Sequence, residues 1–388
     1  MLAITNAKLV YPDRVQEGTL LMESGRIIAG GDVIAPAEAE IVDAHGMYVG
    51  PGLVDIHCHG YSPIHGQKEE YYHAAEQPAE AARAHLRFGT TSITLSPGYS
   101  WTMAQFESCI AATKKDMATG ESPIVGLHYE GPYINPNYGA ASHSAWEFNK
   151  ETCDKIFDLG AGLVKHCTYA PEMPFAPEFE KYMAERGVIA DVGHTEMSPD
   201  DLDRAAKNGA KIVTHLFDAM GCWRGNESIN ITGIIQENAA DVALSTPGLY
   251  YELICDSRGV HVKPANVRMT LRCAGEDHVI LVTDCTPYST HDCTKYAPDD
   301  PMSAPDLNYN TAAELSGSKL TLSVAAANFK RFTGADVRTT FKCAATNAAV
   351  ALGMDDRIGS IRNGRDANVL IVDEDFRVQA VYFHGRKV

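Results

Sequence analysis

Two textures alternate along this chain. Residues 1–50 read as short strands between turns, at 2–10, 19–22, 26–29 and 41–49, with Glu23-Ser24-Gly25 as a tight turn. From Pro51 the pattern changes to short, nearly continuous apolar runs separated by longer polar and alanine-rich stretches. The runs at 53–59, 90–95, 124–129, 163–168, 188–194, 211–216, 251–255 and 279–284 are predicted strands. Stretches between them, such as 79–88, 102–117 and 198–208, are predicted helices. Eight strands alternating with helices predict an α/β fold, a closed (β/α)8 TIM barrel rather than an open sheet. An irregular stretch to about Leu315 follows the eighth strand, then helices at 323–332 and 336–352, the second with Asp336 as its N-cap. Strands return from Gly359, at 367–372 and 377–383. Neither strand-rich end can bury a face alone, so the two are expected to pair into one small β-sandwich beside the barrel. The expected domains are 1–50 with 355–388 for the sandwich and 51–354 for the barrel.

Composition narrows the partners. The 388 residues are 45% hydrophobic, enough for a large core, and carry 33 Lys+Arg against 50 Asp+Glu, a formal charge of −17. That acidic excess argues against binding nucleic acid through a basic face and against adhesion to anionic membranes. No run approaches the roughly 18 apolar residues of a membrane span, and the start lacks the basic-then-apolar order of a signal peptide. The ten cysteines include no CxxC pair. A chain of this size does not need disulfides, so reduced thiols in the cytoplasm are expected.

Candidate chemistry gathers at strand ends. The first barrel strand runs into His57-Cys58-His59, and on a strand two such imidazoles share one face. Alone, that pair leaves metal binding and two unrelated polar residues about equally open. Strand three ends in His128-Tyr129-Glu130, strand five in Gly193-His194, strand six in Thr214-His215 and strand eight in Thr283-Asp284. Thus His57, His59, Glu130, His194, His215 and Asp284 all fall on the rim where such barrels keep their active sites. Imidazole and carboxylate are ligands of zinc and its neighbours, and isolated core histidines do not converge in this way. His128 is expected to pack beside the site, and Lys165 on strand four to be structural rather than a carbamate bridge between ions. His261, beyond strand seven, is a candidate for substrate contact. There is no GxxxxGK[ST] or GxGxxG loop to hold a nucleotide and no GxSxG elbow to carry a serine nucleophile. The chemistry is left to a metal.

These segments resemble the amidohydrolase superfamily, and within it the N-acetylglucosamine-6-phosphate deacetylases. The likeness spans nearly the whole chain, from Pro51-Gly52-Leu53-Val54-Asp55-Ile56-His57-Cys58-His59 to Gly359-Ser360-Ile361-Arg362-Asn363-Gly364-Arg365-Asp366-Ala367-Asn368. The segments most specific to the deacetylases are Glu130-Gly131-Pro132 and Thr214-His215-Leu216-Phe217-Asp218-Ala219-Met220. The resemblance implies that Glu130, His194 and His215 hold the principal divalent metal, zinc by expectation. It also implies that His57 and His59 allow a second ion bridged through Glu130, giving one or two per subunit. Asp284 is implied as general base, taking a proton from the attacking water and passing it to the departing amine. Substrate contacts are expected from His261, Asp218, Ala219, Arg224, Ala141 and Ser316, in a homodimer whose partner is a small amino-sugar substrate.

Two departures from the family pattern concern the substrate end. The family often has a Lys-Gly-Ala-His-like run whose last residue touches the sugar, whereas this chain has Tyr138-Gly139-Ala140-Ala141, with His143 two places late. The family has Asn before Ala-Met, then an Arg-Glu-Pro-Gly run whose Arg reaches the phosphate of the neighbouring subunit's substrate. This chain has Asp218, then Trp223-Arg224-Gly225-Asn226-Glu227. Arg224 is the candidate replacement, while Asp218 would repel a phosphate placed close by. The expected reaction is hydrolysis of the N-acetyl amide of an amino sugar, with N-acetylglucosamine-6-phosphate the family substrate. Two other readings stand beside it: an amidohydrolase for a different acylated amino sugar or a cyclic amide, and a non-catalytic sugar-sensing barrel.

Overall fold

The computed structural model describes residues 1–64, 71–98, 101–139, 146, 148–222 and 237–388. Eight parallel strands form the barrel in chain order: Leu53–Asp55, Thr90–Leu95, Ile124–Glu130, Val164–Tyr169, Ile189–Val192, Ala210–Val213, Tyr250–Ile254 and Val279–Val282. They are called strands one to eight below. Each is short and buried on both faces, which is why each reads as an apolar run rather than an alternating one. Strand eight meets strand one just beyond their ends. There the Asp284 amide donates to the His57 carbonyl (2.9 Å), the His59 amide donates to the Cys285 carbonyl (2.9 Å), and the Thr283 hydroxyl donates to the Asp55 carboxylate (2.6 Å).

The outer helices start where the sequence supplies caps. Thr102 and Gln105 cap the helix Met103–Met117 reciprocally, Ser198 and Asp201 cap Pro199–Lys207, and Asn238 and Asp241 cap Ala239–Ser245. The predicted helix 336–352 begins at Asp336, whose carboxylate accepts the Thr339 amide, and continues as Val337–Phe341, a π-helical turn Lys342–Thr346 and Asn347–Ala351. The stretch expected to be irregular contains a hairpin, Leu307–Tyr309 with Leu315–Ser318. It is stitched to the barrel by the Ser318 amide donating to the Asp284 carbonyl at 2.8 Å.

Both chain ends enter one further sheet of eight strands, joined where Val369–Val372 pairs antiparallel with Tyr48–Pro51. Ile4, Leu9, Leu20, Val49, Val369 and Ile371 belong to the core of this sheet. The predicted strand 41–49 is in fact two, Glu40–Asp43 and Tyr48–Pro51. Asp43 accepts the His45 amide (2.7 Å), and His45 and Gly46 both take positive φ, so the chain turns where an unbroken strand was expected. We propose domain limits at 50/51 and 354/355, beside the end of the terminal sheet's strand Tyr48–Pro51 and just past the last helical segment, Asn347–Ala351. No helix among the described residues is long and apolar enough to cross a membrane.

Candidate metal centre and active-site cleft

Strand one ends at Asp55, so His57 and His59 lie past it rather than on it, and strand alternation is not what aims them. Strands five, six and eight share one device. Val192-Gly193-His194, Val213-Thr214-His215 and Val282-Thr283-Asp284 each leave the strand at Val and place the third residue in the left-handed region, at φ 48°, 29° and 45°. For a side chain with a Cβ that conformation costs about 1 kcal/mol or more, and such strain concentrates at functional sites. Glu130 is the last residue of strand three.

The six side chains meet at one point. Glu130 Oε1 lies 3.2 Å from His57 Nε2, 2.9 Å from His194 Nε2 and 3.0 Å from His215 Nε2, while Oε2 lies 2.9 Å from His59 Nε2. Asp284 Oδ1 stands 3.6 Å from His57 Nε2 and 3.4 Å from His59 Nε2. All six are buried. Two groups of donors close enough to hold an ion share Glu130: His57 with His59, and His194 with His215.

The chemistry of these donors fits a cation. His59 Nδ1 faces the Ser96 carbonyl (2.6 Å) and His194 Nδ1 faces the Tyr138 carbonyl (3.1 Å). A carbonyl only accepts, so each Nδ1 carries a proton. In the neutral ring, Nε2 is then a bare lone pair turned toward a carboxylate. His194 Nε2 and His215 Nε2 also face each other at 3.0 Å. A bare Nε2 of His59 or His194 facing a Glu130 carboxylate oxygen at 2.9 Å is repelled unless a positive charge, from an ion or from an added proton, lies between them. Without an ion, protons fill the role. Burial opposes charging His57 and His59, yet Glu130 and Asp284 outweigh it, holding His57 well above its ordinary range and His59 at about 9. Burial likewise opposes ionising Glu130, but His57, His59 and His194 hold it well below the usual carboxylate range.

Several supporting groups were not read from the sequence. Glu252, fully buried on strand seven, accepts from His57 Nδ1 (3.1 Å) and from the His215 backbone amide (3.2 Å). It thereby ties strand one's histidine to strand six's. Its signal was a lone charge inside the apolar run Tyr250-Tyr251-Glu252-Leu253-Ile254. Asp256 holds His261: Nδ1 lies 3.2 Å from its carboxylate and Nε2 lies 3.1 Å from the Gly317 carbonyl. With acceptors on both sides both nitrogens carry protons, and despite burial Asp256 and Asp218 raise the ring to about 9. His128 packs beside the site, 4.5 Å from His57 between ring centroids and bonded to Ser96 and Thr168. Its stacked neighbour His166 pairs with Asp191, a third buried donor group. Lys165 points away, its Nζ donating to the Gly162 carbonyl (3.1 Å).

A cleft of about 190 Å³ opens over the cluster, and Asp218, Ala219, Ser316 and Gly317 are among its lining residues, with His73 and Trp101. Asp218 Oδ2 lies 3.9 Å from His261 Nε2. Ala141, His143 and Arg224 lie outside the described residues. Lys263 is exposed at the start of the helix Pro264–Ala274 and does not line the cleft. A larger cavity, about 600 Å³, is lined by Glu276, Arg338 and Lys342 and has none of these donors.

A parallel α/β barrel with an imidazole–carboxylate donor cluster at the C-terminal ends of its strands is the scaffold of a metal-site protein. Residues 48–388 match the amidohydrolase family, and the chain belongs to that family. It is 28% identical over 358 residues to the N-acetylglucosamine-6-phosphate deacetylase of Bacillus subtilis, covering 89% of this chain and 84% of that one. It is 26% identical over 399 residues to the human N-acetylglucosamine-6-phosphate deacetylase, covering 97% and 94%. Among solved structures, the N-acetylglucosamine-6-phosphate deacetylase of Pasteurella multocida superposes with a TM-score of 0.83 at 22% identity, over 100% of this chain and 99% of that one. A mutant of the Mycobacterium smegmatis deacetylase, in complex with N-acetyl-D-glucosamine-6-phosphate, superposes at 0.79 and 23% identity, over 100% and 98%. At these identities the superpositions establish the shared fold.

Proposed function

We propose that the protein is a metal-dependent deacetylase hydrolysing the N-acetyl amide of an amino sugar, with N-acetylglucosamine-6-phosphate the substrate to which its relatives' names point. The observation that carries this reading is one carboxylate, Glu130, faced by four imidazole nitrogens, with the second carboxylate Asp284 beside them. We assign Glu130, His194 and His215 to the principal ion, and His57 and His59 with the shared Glu130 to a second. Zinc suits a set of imidazole and carboxylate donors. An ion held there would acidify a water and polarise the acetyl carbonyl, so no side-chain nucleophile is required.

Asp284 handles the proton. Its Oδ1 lies 3.6 Å from His57 Nε2 and 3.4 Å from His59 Nε2, which sets a carboxylate that can accept a proton beside the ions those residues would hold. It takes a proton from the attacking water and returns it to the amide nitrogen as the C–N bond breaks. The water's remaining O–H joins the acyl carbon, giving acetic acid and an amine, which part at neutral pH as acetate and an ammonium group. Asp218, Ala219 and Ser316 line the cleft and are assigned to the sugar. His261 is not among its described lining residues; with both N–H groups engaged by Asp256 and Gly317, it is assigned to orienting Asp218, 3.9 Å away. Arg224 and Ala141 are further candidates from the sequence alone. All ten cysteines are unpaired, which supports a reducing, cytoplasmic setting. A homodimer is the assembly the family resemblance implies.

The test is acetate release by the zinc-loaded protein from N-acetylated amino sugars, with cyclic amides in parallel. Acetate is expected from the sugars, and Asp284→Asn should retain zinc while turnover falls about 100-fold or more. Opening of a cyclic amide without acetate release would replace the substrate class. Tight sugar binding with no product would favour the sensing barrel.

A further inference from the structure

We propose that Trp101, backed by His73, is the wall against which the substrate's acyl group packs, and that it restricts the enzyme to short acyl chains. This rests on the deacetylase reading above and concerns the carboxylic-acid half of the amide, not the sugar. The cleft wall outside the donor cluster is sorted around the rim. In a closed ring of eight strands, strand two lies half a turn from strand six. Trp101 follows strand two and His73 follows strand one, whereas Asp218 and Ala219 follow strand six, and all four line the cleft. Its aromatic side and its sugar-binding carboxylate therefore face each other across the donors.

The amide to be cut joins two unlike groups, an apolar acyl chain and a hydroxyl-bearing sugar ring, which point away from each other across a trans C–N bond. With the carbonyl at Glu130, His194 and His215, a ring turned toward Asp218 finds a hydrogen-bond acceptor, and the acyl chain then faces the indole. That indole stands close to the donors. Gly98 pairs with Glu130 across a parallel bridge, and the Trp101 amide donates to the Gly98 carbonyl (3.1 Å). A Cβ placed on Gly98 would lie 3.4 Å from His59 Cε1 and 3.7 Å from Trp101 Cδ1, so the indole edge and a ligating imidazole flank one point of the backbone. Nor is the indole free to swing. Its ring centroid lies 5.9 Å from that of Phe106, edge to face, and 5.3 Å from that of His73. Phe106 is fully buried in the helix Met103–Met117, and the His73 ring is fixed by accepting the Ala75 amide at Nδ1 (3.0 Å). Trp101 itself is buried. A wall held from behind in this way accepts a methyl group and resists further methylenes, because close-packed groups yield to added volume only at a cost.

The experiment compares kcat/KM for the N-acetyl, N-propionyl and N-butyryl forms of glucosamine 6-phosphate on the zinc-loaded protein, on Trp101→Ala and on Trp101→Phe, following the amine released with each acid. A methylene too many for an apolar pocket costs about 10-fold or more, so the unmodified protein should favour acetyl over butyryl by at least about 10-fold. Trp101→Ala should raise the butyryl-to-acetyl ratio by about 10-fold, and Trp101→Phe, which keeps a ring against Phe106, by less. Should the alanine variant fail to fold, the phenylalanine variant decides by the same ratio. A residue serving the fold alone would lower all three rates together, so an unchanged ratio in folded variants overturns the inference. Butyryl cleaved as fast as acetyl by the unmodified protein overturns it too and leaves the deacetylase reading standing. No amine from any of the three, or from their unphosphorylated counterparts, overturns that reading and this inference with it.

Discussion

Glu252 shows how far single residues set this site. It touches no reacting atom by our assignment, yet it accepts from His57 Nδ1 and thereby leaves Nε2 to face Glu130. Partners of this kind fix the tautomer and aim of a ligating imidazole, and losing one typically weakens metal binding 10–100-fold. Glu252→Ala should therefore lower zinc affinity at the His57–His59 pair by about that factor, read by competition with a chromophoric chelator. Glu252→Gln, whose amide oxygen still accepts from Nδ1–H, should restore much of it. Equal zinc affinity in all three proteins would reduce Glu252 to a packing role. The same residue marks what the sequence hid. Asp55, Asp191 and Glu252 are each a lone carboxylate in a buried strand, and each is bonded to a histidine or to a neighbouring strand. Each precedes the rim end of its predicted strand, at 53–59, 188–194 or 251–255, so a search confined to the predicted strand ends passes over them.

Among the elements, the helix Val337–Phe341 is anchored by charge at the cavity away from the site. Arg338 grips Glu276 with two nitrogens, at 2.9 and 2.7 Å, and also donates to the Pro12 carbonyl (3.0 Å), tying barrel to terminal sheet. Thr339 and Lys342 donate to the same carboxylate. The Arg338 hydrogen bonds, with Thr339 and Lys342 in support, hold the Glu276 carboxyl at about 2 against an ordinary 4.5. A carboxyl depressed by folding stabilises fully above its unfolded value and loses that contribution as pH falls toward its folded one. The window is therefore about pH 4.5 to 2. Glu276→Gln should lower the thermal midpoint at pH 7, by about 1 kcal/mol of stability once solvent screening is allowed for. It should also flatten the loss of stability across that window. Parallel acid curves for both proteins would contradict this. Gly50 meets the same helix from the terminal sheet: a Cβ there would come within 2.6 Å of the Phe341 ring. The positions of these elements were legible because propensity and burial agreed. The split of 41–49 was not, since a turn led by Asp43 leaves the apolar pattern around it almost unchanged.

On the scale of the molecule, the barrel was legible because its wall is buried on both faces, and the rim because imidazoles and carboxylates recurred at successive strand ends. Closure between strands eight and one was implied only by the strand count, and the atoms that make it, around Asp55, Cys58, Thr283 and Cys285, carry no sequence signature. Convergence on the rim was readable, but the turns that achieve it were not. His194, His215 and Asp284 reach Glu130 through left-handed turns that no hydrophobic pattern announces. That convergence is the basis for assigning metal chemistry, and zinc removal tests it most directly. The protein is stripped with a chelator, and zinc is returned stepwise while acetate release from N-acetylglucosamine and its 6-phosphate is followed. Activity should vanish on stripping and return in proportion to zinc bound, reaching its limit at one or two ions per chain. Full acetate release from protein shown by elemental analysis to hold no metal would contradict the assignment.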